Sequence, residues 1–128
     1  MVLAHVCAVP REGMRLINQC VWVGASGNRY VYKVCQLPKN FMENQYGNYI
    51  YCKVVGDVWI PIYIGHGNLS TGVGNSHHQT RCIQGKGATH VHIRYNEREK
   101  DCLREEVDLL DHYPQAYIPT GCNMRTGA

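Results

Sequence analysis

Two strand-like runs joined by a tight turn constrain the fold of this chain more than any other feature. The runs are NYIYCKVV at 48–55 and VWIPIYIG at 58–65, and both are rich in the β-branched and aromatic residues that fit a pleated surface. A Gly-Asp pair at 56–57 separates them and tolerates the positive φ values of a tight turn. The sequence therefore predicts an antiparallel hairpin with Tyr51 on one strand and Tyr63 on the other. If these two side chains point the same way, their phenol hydroxyls lie on the same face of the hairpin.

The composition is that of one globular domain. The chain has 128 residues, of which 45% are hydrophobic and 18% charged, so we expect a single domain over 1–128 with its own core. The net charge of +3 is compatible with a polyanionic partner without requiring one. The apolar first nine residues are cut by Pro10 and are too short for a membrane span and poor as a signal peptide, so no membrane association is expected.

The seven cysteines are scattered, odd in number and contain no C-x-x-C pair. This pattern argues against a closed disulfide framework and for reduced thiols in a cytoplasmic compartment. Three of them, Cys20, Cys35 and Cys52, fall inside strand-like runs, where a thiol serves as a small hydrophobic side chain.

Two further strand signals flank the central hairpin. Residues 14–35 contain two alternating runs around the turn 24–28, which predicts an N-terminal hairpin that could extend the sheet, contact substrate or form a dimer. Residues 88–96 alternate as a third core strand, with His90 and His92 on the same face. No recognised zinc spacing surrounds these two histidines, so we interpret them as residues of an exposed face.

A helix is predicted from an N-cap at Asn96 to about His112, before Tyr113-Pro114 ends it. At 100° per residue, one apolar arc contains Cys102, Leu103, Val107, Leu109, Leu110 and Tyr113. Glu106 falls inside this arc, whereas Glu105 lies opposite. A buried carboxylate needs a cation, a metal or a hydrogen-bond donor, so Glu106 requires a salt bridge to Arg or Lys, a rim position open to water, or a metal. These elements predict an α+β fold, a small antiparallel sheet of three core strands plus the N-terminal hairpin, flanked by helices.

The central hairpin resembles the signature of the GIY-YIG nuclease family. Tyr49-Ile50-Tyr51 stands in place of Gly-Ile-Tyr, and Tyr63-Ile64-Gly65 matches the second half. Three later blocks also resemble the family: Asn68-Leu69-Ser70-Thr71 its Asn-Leu-x-x-Arg run, Glu106 with Tyr113-Pro114 its glutamate segment, and Pro119 to Asn123 its Pro-x-x-Asn close, with one residue more between the proline and the asparagine. The resemblance spans 47–123, which implies a GIY-YIG-like nuclease core there and leaves 1–46 as an N-terminal extension.

Gly72 occupies the position of the family's arginine, which is thought to hold the scissile phosphate. Glycine has no side chain for this role. The protein could be a naturally inactive member, another cation could fill the role, or the arginine could have been removed deliberately to disarm the enzyme. We favour the third explanation, because the other parts of the signature survive. On that reading Gly72→Arg should raise cleavage sharply.

The resemblance implies a Mg²⁺-dependent endonuclease that hydrolyses DNA phosphodiester bonds, with Mn²⁺ able to substitute. Tyr51 would activate or position the water, supported by Tyr63, and Glu106 would bind the metal. Asn123 would stabilise the glutamate region or a nearby loop. Because Gly72 replaces the arginine, we expect activity reduced by orders of magnitude. Nicking by one subunit and cleavage by a homodimer both remain open.

The polar segment after Gly72 carries further candidates. His77 or His78 could assist the attacking water or the leaving oxygen, and Arg81 and Lys86 could bind phosphates. The alternative function is a catalytically dead module that binds nucleic acid through Arg81, Lys86 and Arg94 without cutting it. Such binding would weaken steeply with salt and need no metal.

Overall fold

The structure is a computed structural model that describes residues 18–73 and 77–125. The apolar first nine residues and the first part of the predicted N-terminal hairpin, 14–17, lie outside the described residues. Within them, no helix is long and apolar enough to cross a membrane. The strands are β1 Gln19–Val23, β2 Arg29–Gln36, β3 Tyr46–Val55, β4 Val58–Asn68 and β5 His90–Tyr95. The helices are α1 Leu69–Gly72, α2 Thr80–Gly85 and α3 Glu99–His112, followed by a 3₁₀ turn at Pro114–Ala116.

The five strands form one antiparallel sheet in the order β1-β2-β5-β3-β4, and the predicted α+β class is confirmed. The N-terminal hairpin β1-β2 is part of this sheet, since β2 pairs with β5 from Lys33 opposite Ile93 to Gln36 opposite His90. Of the three roles that the sequence left open for this hairpin, the structure shows sheet extension.

The central hairpin β3-β4 is formed as predicted. Gly56 turns the chain with φ 63°, and Tyr51 lies directly opposite Tyr63. Directly opposed residues of an antiparallel pair project from the same face, so the two phenols lie on one face of the sheet. Tyr49, two residues before Tyr51, projects from this face too, and its ring stacks at 6.2 Å from the Tyr63 ring.

Hydrophobic cores lie on both faces of the sheet. Helix α3 covers one face through a cluster that includes Trp22, Tyr32, Ile50, Ile64, Leu109 and Tyr113. The short helices α1 and α2 cover the other face, in a cluster that includes Tyr49, Tyr51, Leu69, Ile83 and Val91. Strand β4 is an outer strand of the sheet, so groups from both layers can meet at its edge.

The prediction that both strand histidines are exposed is wrong for His92, which is fully buried. Strand β5 lies inside the sheet between β2 and β3, where both faces are covered. The indole Nε1 of Trp22 donates to His92 Nδ1 at 3.0 Å, and the Trp59 ring packs at 4.5 Å. Burial, with a smaller contribution from His90, lowers the pKa of His92 to about 3.

The predicted exposure of α3 is also wrong at Glu105. Its side chain is 3% exposed, accepts a hydrogen bond from the Tyr32 hydroxyl, and pairs with Arg94 Nε at 2.9 Å. Leu103 and Val107, placed in the buried arc by the sequence, are about half exposed at 50% and 49%. The buried face is therefore rotated towards Glu105, because Tyr32 on β2 and Arg94 on β5 supply partners for a carboxylate at that point.

The start of α3 also differs from the prediction. The helix begins at Glu99 with Arg98 as its N-cap, and the Asn96 side chain accepts a hydrogen bond from the Arg98 N–H at 3.0 Å. Asn96 thus stabilises the turn before the helix instead of capping it.

Two cysteines expected as reduced thiols, Cys82 and Cys122, form a disulfide between α2 and the segment after α3. They are separated by 40 residues, and only the packing of α2 beside the C-terminal segment brings them together. Cys20, Cys35 and Cys52 are buried, as expected of thiols that serve as small hydrophobic side chains.

Candidate active site

Four of the predicted site residues line one cavity of about 390 Å³ at the edge of β4: Tyr63, His78, Glu106 and Asn123. They come from four separate parts of the chain, namely β4, the segment before α2, α3 and the C-terminal segment. The structure therefore brings these residues together, although their spacing in the sequence does not. The rest of the lining is mixed. It contains exposed apolar side chains, among them Leu103, Val107 and Met124, and the polar side chains of Gln79 and Asp111.

Asn123 fastens the C-terminal segment to the outer strand. Its Oδ1 accepts from the backbone N–H of Ile64 at 2.8 Å, and its Nδ2 donates to the carbonyl of Ile64 at 2.9 Å. The neighbouring Cys122 N–H donates to the carbonyl of Ile62 at 2.8 Å. The asparagine thus satisfies backbone groups that an outer strand would leave unpaired, and it holds the C-terminal segment beside Tyr63.

Glu106 has a histidine as its partner. The Nδ1 of His66 lies 2.6 Å from Glu106 Oε1, and both side chains are 21% exposed. Burial raises the pKa of Glu106, and the hydrogen bond and charge of His66 oppose that rise. The contact places one proton between Nδ1 and Oε1. In the neutral tautomer that carries this proton on Nδ1, Nε2 is an acceptor.

His66 is not among the candidate residues that the sequence predicts. The buried arc indicates that Glu106 needs a partner, but the protein side chains it suggests for that role are arginine and lysine. His66 lies at the end of β4, 40 residues earlier, where no local pattern links it to α3.

The signature tyrosines divide between two environments. Tyr51 donates its hydroxyl hydrogen to the carbonyl of Gly72 at 2.8 Å and does not line the cavity that holds Glu106. Tyr63 does line that cavity. Burial raises the pKa of both phenols, and the charge of Glu106 raises that of Tyr63 further, so both remain protonated at neutral pH.

A second cavity of about 320 Å³ adjoins the first, and His78 lines both. Its lining residues are Tyr49, His66, Asn68, Thr71, Gly72, His77 and His78. Tyr49 and His77 are joined here by a 2.9 Å contact between Oη and Nε2. Burial, with a smaller effect of His78, lowers the pKa of His77 to about 4, so its imidazole is neutral at pH 7.

Gly72 faces the ring of Tyr49. A Cβ on residue 72 would lie 2.7 Å from Cε2 of that ring, and a Cβ on Gly65 would lie 2.8 Å from its Cζ. Tyr49 itself stands where the GIY-YIG signature has glycine. The aromatic ring thus fills space that two glycines leave open.

The predicted phosphate-binding cations are not gathered at these cavities. Arg94 pairs with the buried Glu105, and Lys86 donates to the backbone carbonyl of Pro119. Arg81 is exposed on α2. None of the three lines either cavity at the β4 edge.

Glu106 could hold a divalent cation through the carboxylate oxygen that does not contact His66. Its Oε1 contacts His66, and in the described residues no group of three or more His, Cys, Asp or Glu side chains is arranged to hold a metal. Mg²⁺ commonly takes one or two carboxylates and completes its shell with water and substrate phosphate. The residues present therefore fit Mg²⁺ on the second oxygen of Glu106, and they do not fit a site made wholly of protein ligands.

No protein-family model matches this sequence, and comparisons with curated proteins and with solved structures return no match. The resemblance to GIY-YIG nucleases therefore rests on the sequence blocks quoted above alone.

Proposed function

We propose that this protein is an endonuclease that hydrolyses phosphodiester bonds of DNA with the help of Mg²⁺, at a rate reduced by the absence of the family's arginine. One observation carries the proposal: Tyr63, Glu106 and Asn123, which match three separate blocks of the nuclease resemblance, line a single cavity. These blocks lie far apart in the sequence, so their convergence is not a consequence of local pattern.

Within this cavity the protein's own groups have separable roles. Tyr63 is a protonated phenol beside a carboxylate, suited to position a water molecule by hydrogen bonding. His66 lines the adjoining cavity and contacts Glu106 through Nδ1, so in the neutral tautomer with Nδ1 protonated its Nε2 can accept a proton from that water. We assign water positioning to Tyr63 instead of Tyr51, because the Tyr51 hydroxyl is already donated to Gly72.

Mg²⁺, when bound, would stabilise the negative charge that develops on the phosphate and the leaving oxygen. Glu106 is the residue that would hold it. In the reaction one P–O ester bond is replaced by a bond to the water oxygen, and the leaving oxygen takes up a proton. His78 lines both cavities and could supply this proton.

The direct test is cleavage of supercoiled plasmid in Mg²⁺ by the native chain and by Glu106→Ala. Glu99→Ala is the matched control, because Glu99 is an exposed carboxylate on the same helix. We expect slow Mg²⁺-dependent nicking by the native protein and the control, and none by Glu106→Ala or in EDTA. Equal nicking by Glu106→Ala would show that the activity belongs to a contaminant or to another site.

A catalytically dead nucleic-acid-binding module is the alternative, favoured by the missing arginine. It predicts that the native chain retards the plasmid on a gel without nicking it, with or without Mg²⁺. Steep weakening of that binding with salt would identify phosphate contacts as its source.

A further inference from the structure

We propose that the hydroxyl of Tyr49 binds a phosphate oxygen of the substrate, in the place that the family's arginine would take, as the last donor of a hydrogen-bond chain through His77. The inference rests on the proposed function, because the expected ligand is a phosphodiester. Its basis is the direction of the hydrogen bonds around His77, the lining of the adjoining cavity, and the packing of the Tyr49 ring.

The hydrogen bonds run in one direction. The backbone N–H of Gln79 donates to His77 Nδ1 at 2.9 Å, so this nitrogen is an acceptor. His77 is neutral at pH 7, since burial lowers its pKa to about 4, and its single proton must therefore lie on Nε2. Nε2 is 2.9 Å from Tyr49 Oη and donates to it. The Tyr49 oxygen accepts this bond, which leaves its own hydrogen for another acceptor.

Among the described residues, the contact with His77 is the one hydrogen bond that the Tyr49 hydroxyl makes. The phenol also keeps its hydrogen, because burial, followed by the charges of Tyr63, Tyr51 and Glu106, raises the pKa of Tyr49. A hydroxyl whose oxygen accepts one hydrogen bond is polarised, so it donates its own hydrogen more strongly. Hydrogen bonds to a charged acceptor also contribute more than neutral ones. An anion is the acceptor that gains most from this arrangement.

The surroundings of the hydroxyl suit an anion as well. Among the residues that line the 320 Å³ cavity none is acidic. The nearest carboxylate of the site, Glu106, belongs to the lining of the adjoining cavity and is paired with His66. Asn68 and His78 add polar groups to the same lining.

Packing places the hydroxyl where the arginine is missing. The Tyr49 ring lies against Gly65 and Gly72, and its Oη would be 3.1 Å from a Cβ on residue 72. Tyr51 offers no equivalent donor, because its hydroxyl is held by the carbonyl of Gly72 at 2.8 Å. The two tyrosines thus form a matched pair, with one hydroxyl available to ligand and one occupied.

The test compares Tyr49→Phe with Tyr51→Phe in EDTA, by fluorescence anisotropy of a short labelled DNA duplex. Both changes remove one hydroxyl and keep the ring, and thermal melting shows whether each variant folds. Loss of one hydrogen bond to a charged group should weaken binding by Tyr49→Phe about tenfold, whereas Tyr51→Phe should stay within about twofold of the native protein. Unchanged binding by Tyr49→Phe, or an equal loss in Tyr51→Phe, would overturn the inference.

A second measurement separates this inference from the proposed function. Inorganic phosphate is titrated into the native protein, and the backbone amide signals of Gln79 and Gly72 are followed by NMR. Shifts in the native protein that are absent in Tyr49→Phe support the inference even if the chain neither binds nor cuts DNA, in which case the proposed function alone fails. No shift at either amide in the native protein overturns the inference whatever the DNA result.

Discussion

The ring of Tyr49 occupies the space in front of Gly72, at 2.7 Å from the point where a Cβ on that residue would stand. An arginine at 72 would have to displace this buried ring. Tyr49 and Gly72 both depart from the GIY-YIG signature, at the positions of its glycine and its arginine. Under the proposed function, deliberate removal of the arginine alone does not account for Tyr49, so we propose that both residues were replaced together.

Gly72→Arg by itself is therefore expected to destabilise the protein by about 1–3 kcal/mol through overpacking, without raising cleavage. Tyr49→Gly together with Gly72→Arg should show a favourable coupling of at least about 1 kcal/mol in a double-mutant cycle measured by urea denaturation.

The matched control for this change is Gly85→Arg. Gly85 is another helical glycine, but a Cβ there has no atom within 4 Å, so the substitution should leave stability nearly unchanged. Higher cleavage by Gly72→Arg with no loss of stability would show that the Tyr49 ring moves aside at little cost. It would also support the expectation, drawn from the family signature, that restoring the arginine raises cleavage.

Glu105→Ala should lower the free energy of unfolding by about 2 kcal/mol. It leaves Arg94 and the buried Tyr32 hydroxyl without their carboxylate, and Arg94 is itself 38% exposed, which lessens the loss. Asp101→Ala is the control, since Asp101 pairs with Arg104 at 3.7 Å on the exposed side of the same helix, and exposed pairs contribute at most about 1 kcal/mol. Equal effects of the two substitutions in urea denaturation would contradict the structural role of Glu105.

Acid should destabilise the protein through His92. The pKa of His92 is about 3 in the folded protein and 6.5 in the unfolded chain. Below pH 6.5 the unfolded chain therefore binds a proton at this histidine that the folded chain does not bind. Stability is therefore lost as pH falls, by about 2.5 kcal/mol from this group between about pH 7 and pH 4.5. His92→Gln keeps an acceptor for Trp22 and should flatten the dependence, measured by denaturation at each pH. If stability changes with pH as steeply in His92→Gln as in the native protein, His92 is not the cause of the acid destabilisation.

Reduction of the Cys82–Cys122 disulfide should lower the free energy of unfolding by about 3–4 kcal/mol, because the bond closes a loop of 40 residues in the unfolded chain. Thermal melting with and without dithiothreitol measures the change, and the double variant Cys82→Ser/Cys122→Ser should not respond to the reductant. Alkylation of the unreduced, denatured protein should modify Cys20, Cys35, Cys52 and Cys102 and leave Cys82 and Cys122 unmodified. Modification of all seven would show that the bond does not form.

Local chemistry in the sequence predicts the hairpin β3-β4. Gly56 permits a left-handed backbone conformation, and the alternating aromatic and β-branched residues fix which side chains oppose each other, so Tyr51 meets Tyr63 as expected. The third core strand and the long helix follow from their own periodicities. Each of these signals lies within about fifteen residues of chain, where pattern and structure correspond directly.

The assignments that failed concern what covers an element. The alternation of apolar and polar residues predicts that His92 lies on an exposed face. In the structure, β5 lies between β2 and β3 and is covered on both sides. Helical periodicity predicts that Glu105 is exposed to solvent. In the structure, Arg94 and Tyr32 of the sheet contact its carboxylate. Periodicity gives the angular position of a side chain on its own element but carries no information about the neighbouring element.

Local pattern along the chain is enough to predict the α+β class, the central hairpin with its opposed tyrosines, and the need of Glu106 for a partner. Three further contacts depend on how separate elements pack: His66 with Glu106, the Tyr49 ring with Gly72, and Cys82 with Cys122. The physical reason is the same in the three cases. Each contact joins residues from 23 to 40 positions apart in the chain, and such pairs meet only when separate elements pack around the edge of one sheet.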